Sequence, residues 1–453
     1  MSTVQQQQQQ EEEKSTKEEL SKQDQKIRLD QTAILQRSYD KAVQAEEERK
    51  RRERKRDESR IKVLLLGSRH LASWIVFYLR NTATFVIVDR LDPETIFTNP
   101  EVKKQVPRRI IQSFQLSEFD IEKGLGKILE DNTFDFVINT LGVGDSGFAT
   151  NNPSYTAFYN NTFTHSIMNA IISAKDTNPH IKFVHISSDK VYGNTGVPSG
   201  LNRIMQADQK GGQVEVEGYW KEFRIDENEP CNPMGIKAIS RYTQEIIVRQ
   251  LCKTYGIDYI IFRVGNLWGR FTDQTKLINN MLIDALRTKM IHIYGDQFAS
   301  RHIVNIEDFA EFIRDLLTSK YDIANWNDIY NIGGDLPTRY YIWGIAQFIK
   351  TITSGGAAKG INPKAAYVLP WGSVKIVNDP PRYYEDTEEA GIRIWMDTSK
   401  NSKAVKKLGY TATRDIKWDE YFKELLLWNA HYHLGMNTEQ IESIREKITY
   451  TLR

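Results

Sequence analysis

Residues 61–80, IKVLLLGSRHLASWIVFYLR, carry a strand, a turn and a helix in immediate succession. IKVLLLG is a continuous apolar run closed by glycine, the pattern of a strand buried on both faces of a parallel sheet. LASWIVFYLR then has helical spacing, and TFVIVD (84–89) is a second buried strand. DFVINTLG (135–142), KFVHISS (182–188) and DYIIFRVGN (258–266) repeat the signature, each after a segment of helical character. This alternation predicts an α/β fold with a Rossmann-like, doubly wound parallel sheet. Beyond about residue 270 the regularity loosens. We expect a dinucleotide-binding domain over 61–270, a smaller C-terminal substrate lobe over 271–430 with segments returning to the first domain, and a C-terminal helix over 431–453.

Residues 1–60 are different in kind. Gln5 to Gln10 lead into a charged run ending in AEEERKRRERKRDESR (45–60). Apolar residues are too sparse there to bury a face, so the tail is expected to be disordered or a solvated charged helix, with an unidentified protein partner as its one route to tertiary order. Arg49 to Arg56 could serve as a nucleic-acid patch, but interleaved Glu46, Glu47, Glu48 and Glu53 favour a solvated face. With 26% charged residues and a net charge of +2, nothing in the composition asks for nucleic acid. Two cysteines, Cys231 and Cys252, argue against a disulfide framework or a cysteine metal site, and no metal centre is expected. The first residues hold no apolar signal segment, and no apolar run is long enough to span a membrane. The expected compartment is the cytoplasm.

A Rossmann first turn needs glycine where the chain bends, where backbone meets pyrophosphate, and where helix packs on strand. Here Gly67 fills the first place, while His70 and Ser73 stand at the other two. The helix start still offers N–H groups and a positive dipole end to a phosphate, but a His70 side chain would stand in the diphosphate's path. Asp89 closes the second strand 22 residues after Gly67, where a carboxylate accepts ribose hydroxyls; the alternative is an aspartate that caps a turn.

From KFVHISSDKVYG (182–193) onward the chain resembles the extended short-chain dehydrogenase/reductase family of NAD-dependent nucleotide-sugar epimerases and dehydratases. The resemblance runs in family order from about Ile61 to about Trp428. It implies a strand beneath the nicotinamide ribose in FDFVINTLG, with Leu141 and Gly142 beside the cofactor. YTAFYNNTFTHSIMNAI (155–171) resembles the next helix and puts Asn161 at the family's asparagine position. Ser188 takes the catalytic Ser/Thr position, followed by Asp189 and Lys190, which resembles the acidic–lysine pair of the dehydratases. IIFRVGNLWGR (260–270) implies that Asn266 contacts a sugar diphosphate, and IHIYGDQFASRHIVNIEDFA (291–310) implies substrate roles for Arg301 and Asp308. An arginine can give a diphosphate two charge-assisted hydrogen bonds, which lysine cannot match; the alternative for Arg301 is a surface salt bridge with Glu307 or Asp308. MDTSKNSKAVKKLGY (396–410) resembles the family's C-terminal element.

NPMGIKAISRYTQEIIVRQL (232–251) departs from the family. Its relatives place a Tyr and a Lys four residues apart, the lysine lowering the phenol's pKa and holding the nicotinamide ribose. Lys237 and Arg241 occupy those positions here, with Ser240 and Glu245 keeping the register. Tyr242 points about 100° around the helix from Arg241 and cannot simply substitute. Two cations facing an oxidised nicotinamide disfavour hydride transfer, and because His70 and Ser73 replace glycines NAD is expected to bind weakly. The leading expectation is a pseudoenzyme that binds a nucleotide or nucleotide sugar for regulation or assembly. One alternative is an active epimerase or dehydratase using Lys237 as acid/base; another is a ligand-free scaffold. Ile247, Val248 and Leu251 form an apolar stripe that suggests a homodimer, with intramolecular burial as the competing account.

Overall fold

The computed structural model describes residues 43–44, 59–92, 104–117, 119–193, 225–272, 276–295, 297, 299–318, 325–333, 339–354, 374–379, 396, 418–432, 435–437 and 439–441. The chain divides into two compact units, 1–60 and 61–453. The expectations for the glutamine tract and nearly all of the charged tail lie outside the described residues, as does most of the C-terminal element 396–410.

In the second unit the apolar runs become a seven-stranded sheet. Its strands are β1 (Ile61–Leu66), β2 (Ala83–Asp89), β3 (Ile111–Gln115), β4 (Phe136–Asn139), β5 (Lys182–Ser188), β6 (Asp258–Val264) and β10 (Asp328–Ile332). They lie in the order β10-β6-β5-β4-β1-β2-β3, and every pairing is parallel. The chain starts in the interior of the sheet and winds outward both ways, so ligand-binding loops meet at the carboxyl ends of the strands.

Alternation along each strand builds two cores. Val63, Leu65, Phe85 and Ile87 point to one face, against α1 (Leu71–Leu79) and α8 (Ile306–Thr318). Leu64, Leu66, Val86 and Val88 point to the other, against α2 (Ile121–Asp131), α5 (Phe163–Ser173) and α6 (Gly235–Tyr255). A strand buried on both sides has no polar positions to show, which is why IKVLLL reads as continuous apolar sequence. Short helices α3 (Ser146–Asn151) and α4 (Pro153–Ala157) follow β4. Between α4 and α5 the chain takes one π-helical turn, Phe158–Thr162.

The remaining strands form smaller sheets. β7 (Asn266–Trp268), β9 (Ser300–Asn305) and β11 (Arg339–Tyr341) make one, and β8 (Met290–Tyr294) with β12 (Lys375–Asp379) another. A third apolar cluster joins them to α7 (Leu277–Thr288), α9 (Ile342–Ser354) and α10 (Trp418–Tyr432).

Beyond residue 270, β10 returns to pair with β6 from Asp328↔Ile260 to Ile332↔Val264, and α8 packs on α1. α10 ends at Tyr432, residues 439–441 are again helical, and residues 442–453, which hold most of the expected C-terminal helix, lie outside the described residues. The stripe on α6 is intramolecular: Val248 is fully buried in the second core, and Ile247 and Leu251 pack against it. The large hydrophobic side chains α6 leaves exposed are Ile239, Ile246 and, at its last position, Tyr255.

Candidate active site

Five strand ends bring the expected residues to one edge. Gly67 follows β1, Asp89 ends β2, Leu141 and Gly142 follow β4, Ser188 ends β5, and Asn266 follows β6.

The first turn keeps Gly67 but has side chains at the other two glycine positions. His70 sits at φ 47°, a left-handed value that a side chain disfavours and glycine adopts freely. Its ring is tied by Nδ1 to the carbonyl of Phe271 at 2.8 Å. Ser73 is buried, and its hydroxyl donates to the carbonyl of Ser68 at 3.0 Å. Asp89 is buried with both carboxylate oxygens engaged. Oδ2 accepts the Ser68 hydroxyl, and Oδ1 accepts the Leu91 N–H at 3.0 Å. The turn-capping role of Asp89 is therefore present, with Ser68 donating to its other oxygen.

Around β4 and β5 the geometry centres on Arg241. Gly142 has φ 142°, and a Cβ built there would lie 2.5 Å from Arg241 Nη1. The guanidinium thus rests against the backbone of the loop that the family resemblance assigns to the nicotinamide ribose. Nη1 donates to the carbonyl of Leu141 at 3.1 Å and to Gln244 Oε1 at 3.3 Å. Burial draws the Arg241 pKa down to about 10, partly opposed by the Tyr159 phenol nearby. Lys237, one turn earlier, donates its Nζ to Ser146 Oγ. Tyr242 turns away from both and joins a cluster with Val191, Tyr192 and Met396.

Beneath this lies His185, fully buried on β5. The Asn139 amide nitrogen lies 3.3 Å from its Nδ1, and Asn139 Oδ1 accepts the Leu141 N–H at 3.0 Å. Burial, reinforced by the Arg241 charge, lowers the His185 pKa to about 3, so the ring is neutral at neutral pH.

Asn160 and its neighbour Asn161 have different surroundings. Asn160 is the fully buried bridge: its Oδ1 accepts the Val143 N–H at 2.8 Å, and its Nδ2 donates to Ser240 Oγ at 2.8 Å. Asn161 instead has a buried Oδ1 with no hydrogen-bond partner among the described residues. The π turn at 158–162 inserts a residue into the helical count, which a 3.6-residue reading cannot anticipate. Gln244 was also missed. It ties α6 to Thr164 Oγ1 at 2.7 Å and to the Asn160 carbonyl at 3.0 Å. Its spacing of three from Arg241 on one helix face was a usable signal.

Ser188 accepts the Lys190 N–H at 3.3 Å and donates to Asp189 Oδ1 at 3.2 Å. Asp189 and Lys190 are both buried in the short 3-10 turn Asp189–Tyr192. In the smaller sheet Asn266 pairs in register with Ile303, so Arg301, two residues before Ile303, shares its face. Asn266 Nδ2 reaches the His302 carbonyl at 3.5 Å. Arg301 is buried, and Glu307 is held by Arg270 in two hydrogen bonds of 3.0 and 2.9 Å, so Arg301 is no surface partner of Glu307. Asp308 lies in the first turn of α8, where its charge helps raise the pKa of Tyr78 on α1 behind burial, Glu307 and Glu311. It stands in that helix layer, on a different element from Asn266 and Arg301.

Residues 71–333 match the model of the NAD dependent epimerase/dehydratase family, more than half of the chain. The chain belongs to that family. The dTDP-glucose 4,6-dehydratase of Neisseria meningitidis serogroup B is 28% identical over 153 residues, covering 34% of this chain and 36% of that relative. The match thus spans little more than a third of the relative's length. Among solved structures, a dTDP-glucose 4,6-dehydratase from Streptomyces venezuelae with NAD and TYD bound superposes with a TM-score of 0.60 at 17% identity, covering 83% of this chain and 99% of that one. A UDP-glucose 4-epimerase from Thermotoga maritima with UDP-glucose gives 0.57 at 18% identity, covering 81% and 98%. At these identities the structures bear on the fold alone. Among the described residues no helix is long and apolar enough to cross a membrane, and no group of three or more His, Cys, Asp or Glu side chains could hold a metal ion.

Proposed function

We propose that this chain binds a nucleotide or nucleotide sugar at the strand ends without performing the family's hydride transfer, in a regulatory or assembly role. The observation that carries the reading is the Arg241 guanidinium lying on Gly142, with Lys237 drawn to Ser146. Neither position offers a phenol, and Tyr242 faces another cluster. The residues present fit NAD poorly at three points. Arg241 lies on the nicotinamide loop, both Asp89 oxygens are engaged, and His70 replaces the glycine that lets backbone approach pyrophosphate. NAD would supply hydride transfer if bound, and nothing else in the reading depends on it.

We expect NAD to bind with a Kd on the order of 0.1–1 mM, read by calorimetry, and to show no turnover with UDP- or dTDP-hexoses. His70→Gly with Ser73→Gly should tighten NAD. Lys237→Tyr with Arg241→Lys should restore nothing alone, and all four changes together give the best prospect of activity. NAD retained through purification would defeat the weak-binding reading. Turnover by the native protein, abolished in Lys237→Ala while binding persists, would instead make Lys237 a working acid/base.

A homodimer remains part of this proposal on different residues. Ile239 and Ile246 lie exposed on α6, seven positions or two turns apart. Replacing both by glutamate should shift the light-scattering mass from dimer to monomer. A monomeric wild-type protein at micromolar concentration ends the idea.

A further inference from the structure

The loop from Leu141 to Ser146 is bordered by three cations. Arg241 donates to the Leu141 carbonyl, Lys237 to Ser146 Oγ, and Lys276 to the Gly144 carbonyl at 3.3 Å. Arg241 is the informative one. It is partly buried, its hydrogen-bond partners are a neutral carbonyl and a neutral amide, and no carboxylate lies within ion-pair distance of it among the described residues. Two other buried or half-buried arginines are matched, Arg263 by Glu245 and Arg270 by Glu307. A desolvated cation without a counter-charge is costly, because lost hydration is not replaced by an opposite charge.

The helix that carries Lys237 and Arg241 adds to the same field. The 21-residue α6 begins at Gly235 without a side-chain cap from Met234 and without an acidic residue in its first turn. Its first N–H groups and the positive end of its dipole therefore lie on the side where Lys237 stands. Asp145 sits in the loop, but its Oδ1 caps α3 by accepting the Phe148 N–H at 2.7 Å. Gly142 is what admits the guanidinium, since any side chain there would overlap it.

We propose that this corner is an oxyanion site, in which Arg241, flanked by Lys237 and Lys276, pairs with a carboxylate or phosphate on the sugar portion of a bound nucleotide sugar. The proposal rests on the nucleotide-sugar reading and narrows its ligand class to acidic sugars. A guanidinium gives such a group two parallel charge-assisted hydrogen bonds. A neutral hexose leaves the charge as it is in the free protein.

The test is calorimetry on the full chain with UDP-glucose and UDP-glucuronate, which differ in the carboxylate on the ring, and with UDP alone, all at one ionic strength. The expected result is UDP-glucuronate binding about tenfold or more tighter than UDP-glucose, the range of a hydrogen bond to a charged group. Arg241→Met should reduce that preference to about twofold, and Gly142→Ala, whose methyl displaces the guanidinium, should do the same. Circular dichroism confirms that each variant is folded, and Lys237→Met, with a smaller loss, is the second variant should either fail. Equal binding of the two sugars, or a preference that survives Arg241→Met, overturns the proposal. If neither sugar nor UDP binds, the nucleotide-sugar reading fails, and inorganic phosphate decides the site by itself. Phosphate that raises the wild-type Tm above chloride at matched ionic strength, but not that of Arg241→Met, supports the oxyanion site. No difference between the two proteins ends it.

Discussion

Replacing Glu245 by alanine is expected to destabilise the fold by about 3–5 kcal/mol, the cost of leaving a buried charge without its partner. Glu245 and Arg263 are both buried, and the guanidinium meets the carboxylate through hydrogen bonds of 3.2, 3.1 and 2.8 Å. Burial works to lower the Arg263 pKa, but the charge and hydrogen bonds of Glu245 hold it well above its ordinary value. The pair is also anchored outward. Ser187 donates to Glu245 Oε1, Arg263 Nη1 donates to the Tyr192 hydroxyl at 2.8 Å, and that hydroxyl donates to Asn331 Oδ1 at 2.8 Å. One network thus joins α6, β5, β6 and β10. Urea denaturation should show a lower midpoint at unchanged m-value. Glu245→Leu with Arg263→Met should recover most of the loss, because removing both charges removes the desolvation penalty as well. A single-mutant loss below about 1 kcal/mol would mean that water reaches the pair.

Stability should also fall steeply in acid because of His185. Its folded pKa, about 3, lies below its ordinary value of 6.5, so the unfolded chain binds the proton first. The stabilisation from the neutral buried ring is fully present above pH 6.5 and is lost as pH falls towards 3. Within that window His185 contributes a slope of about 1.4 kcal/mol per pH unit, on the order of 4–5 kcal/mol in all. His185→Gln should make the acid limb shallower by about one proton, measured from unfolding free energies between pH 7 and pH 4. Identical slopes in the two proteins would show that the ring is protonated, or hydrated, in the folded state. Carboxylates add to the limb in both proteins and cancel in the comparison.

The two effects share a cause that the site also depends on. α6 carries Arg241 and Glu245 one turn apart with separate partners, Glu245 against Arg263 and Arg241 against the Leu141–Gly142 backbone. Changes at Lys237 or Arg241 therefore alter the ligand corner without touching the ion pair that holds the helix to the sheet. That separation keeps the four-substitution restoration compatible with a folded protein.

The architecture was legible from local pattern. Strands buried on both faces must be apolar at every position, so IKVLLL, TFVIVD and KFVHI announced themselves, and their spacing by helices implied a parallel sheet. That Lys237 and Arg241 stand where the family resemblance expects Tyr and Lys was read from the spacing after Pro233, and the helix that carries both begins at Gly235. Helical register fell short at the π turn 158–162, within which Asn160 bridges Val143 and Ser240. It failed again at the α6 stripe, since apolar spacing reports that a face is buried and not which surface buries it. Side-chain direction was decided by tertiary packing alone. His185 and Arg241 lie far apart in sequence, and nothing local indicates that one lowers the other's pKa, or that Gly142 makes room for a guanidinium. Periodicity encodes burial, which is a property of one element. Charge pairing and the shape of the ligand corner depend on which elements the sheet brings together, and so only the folded chain determines them.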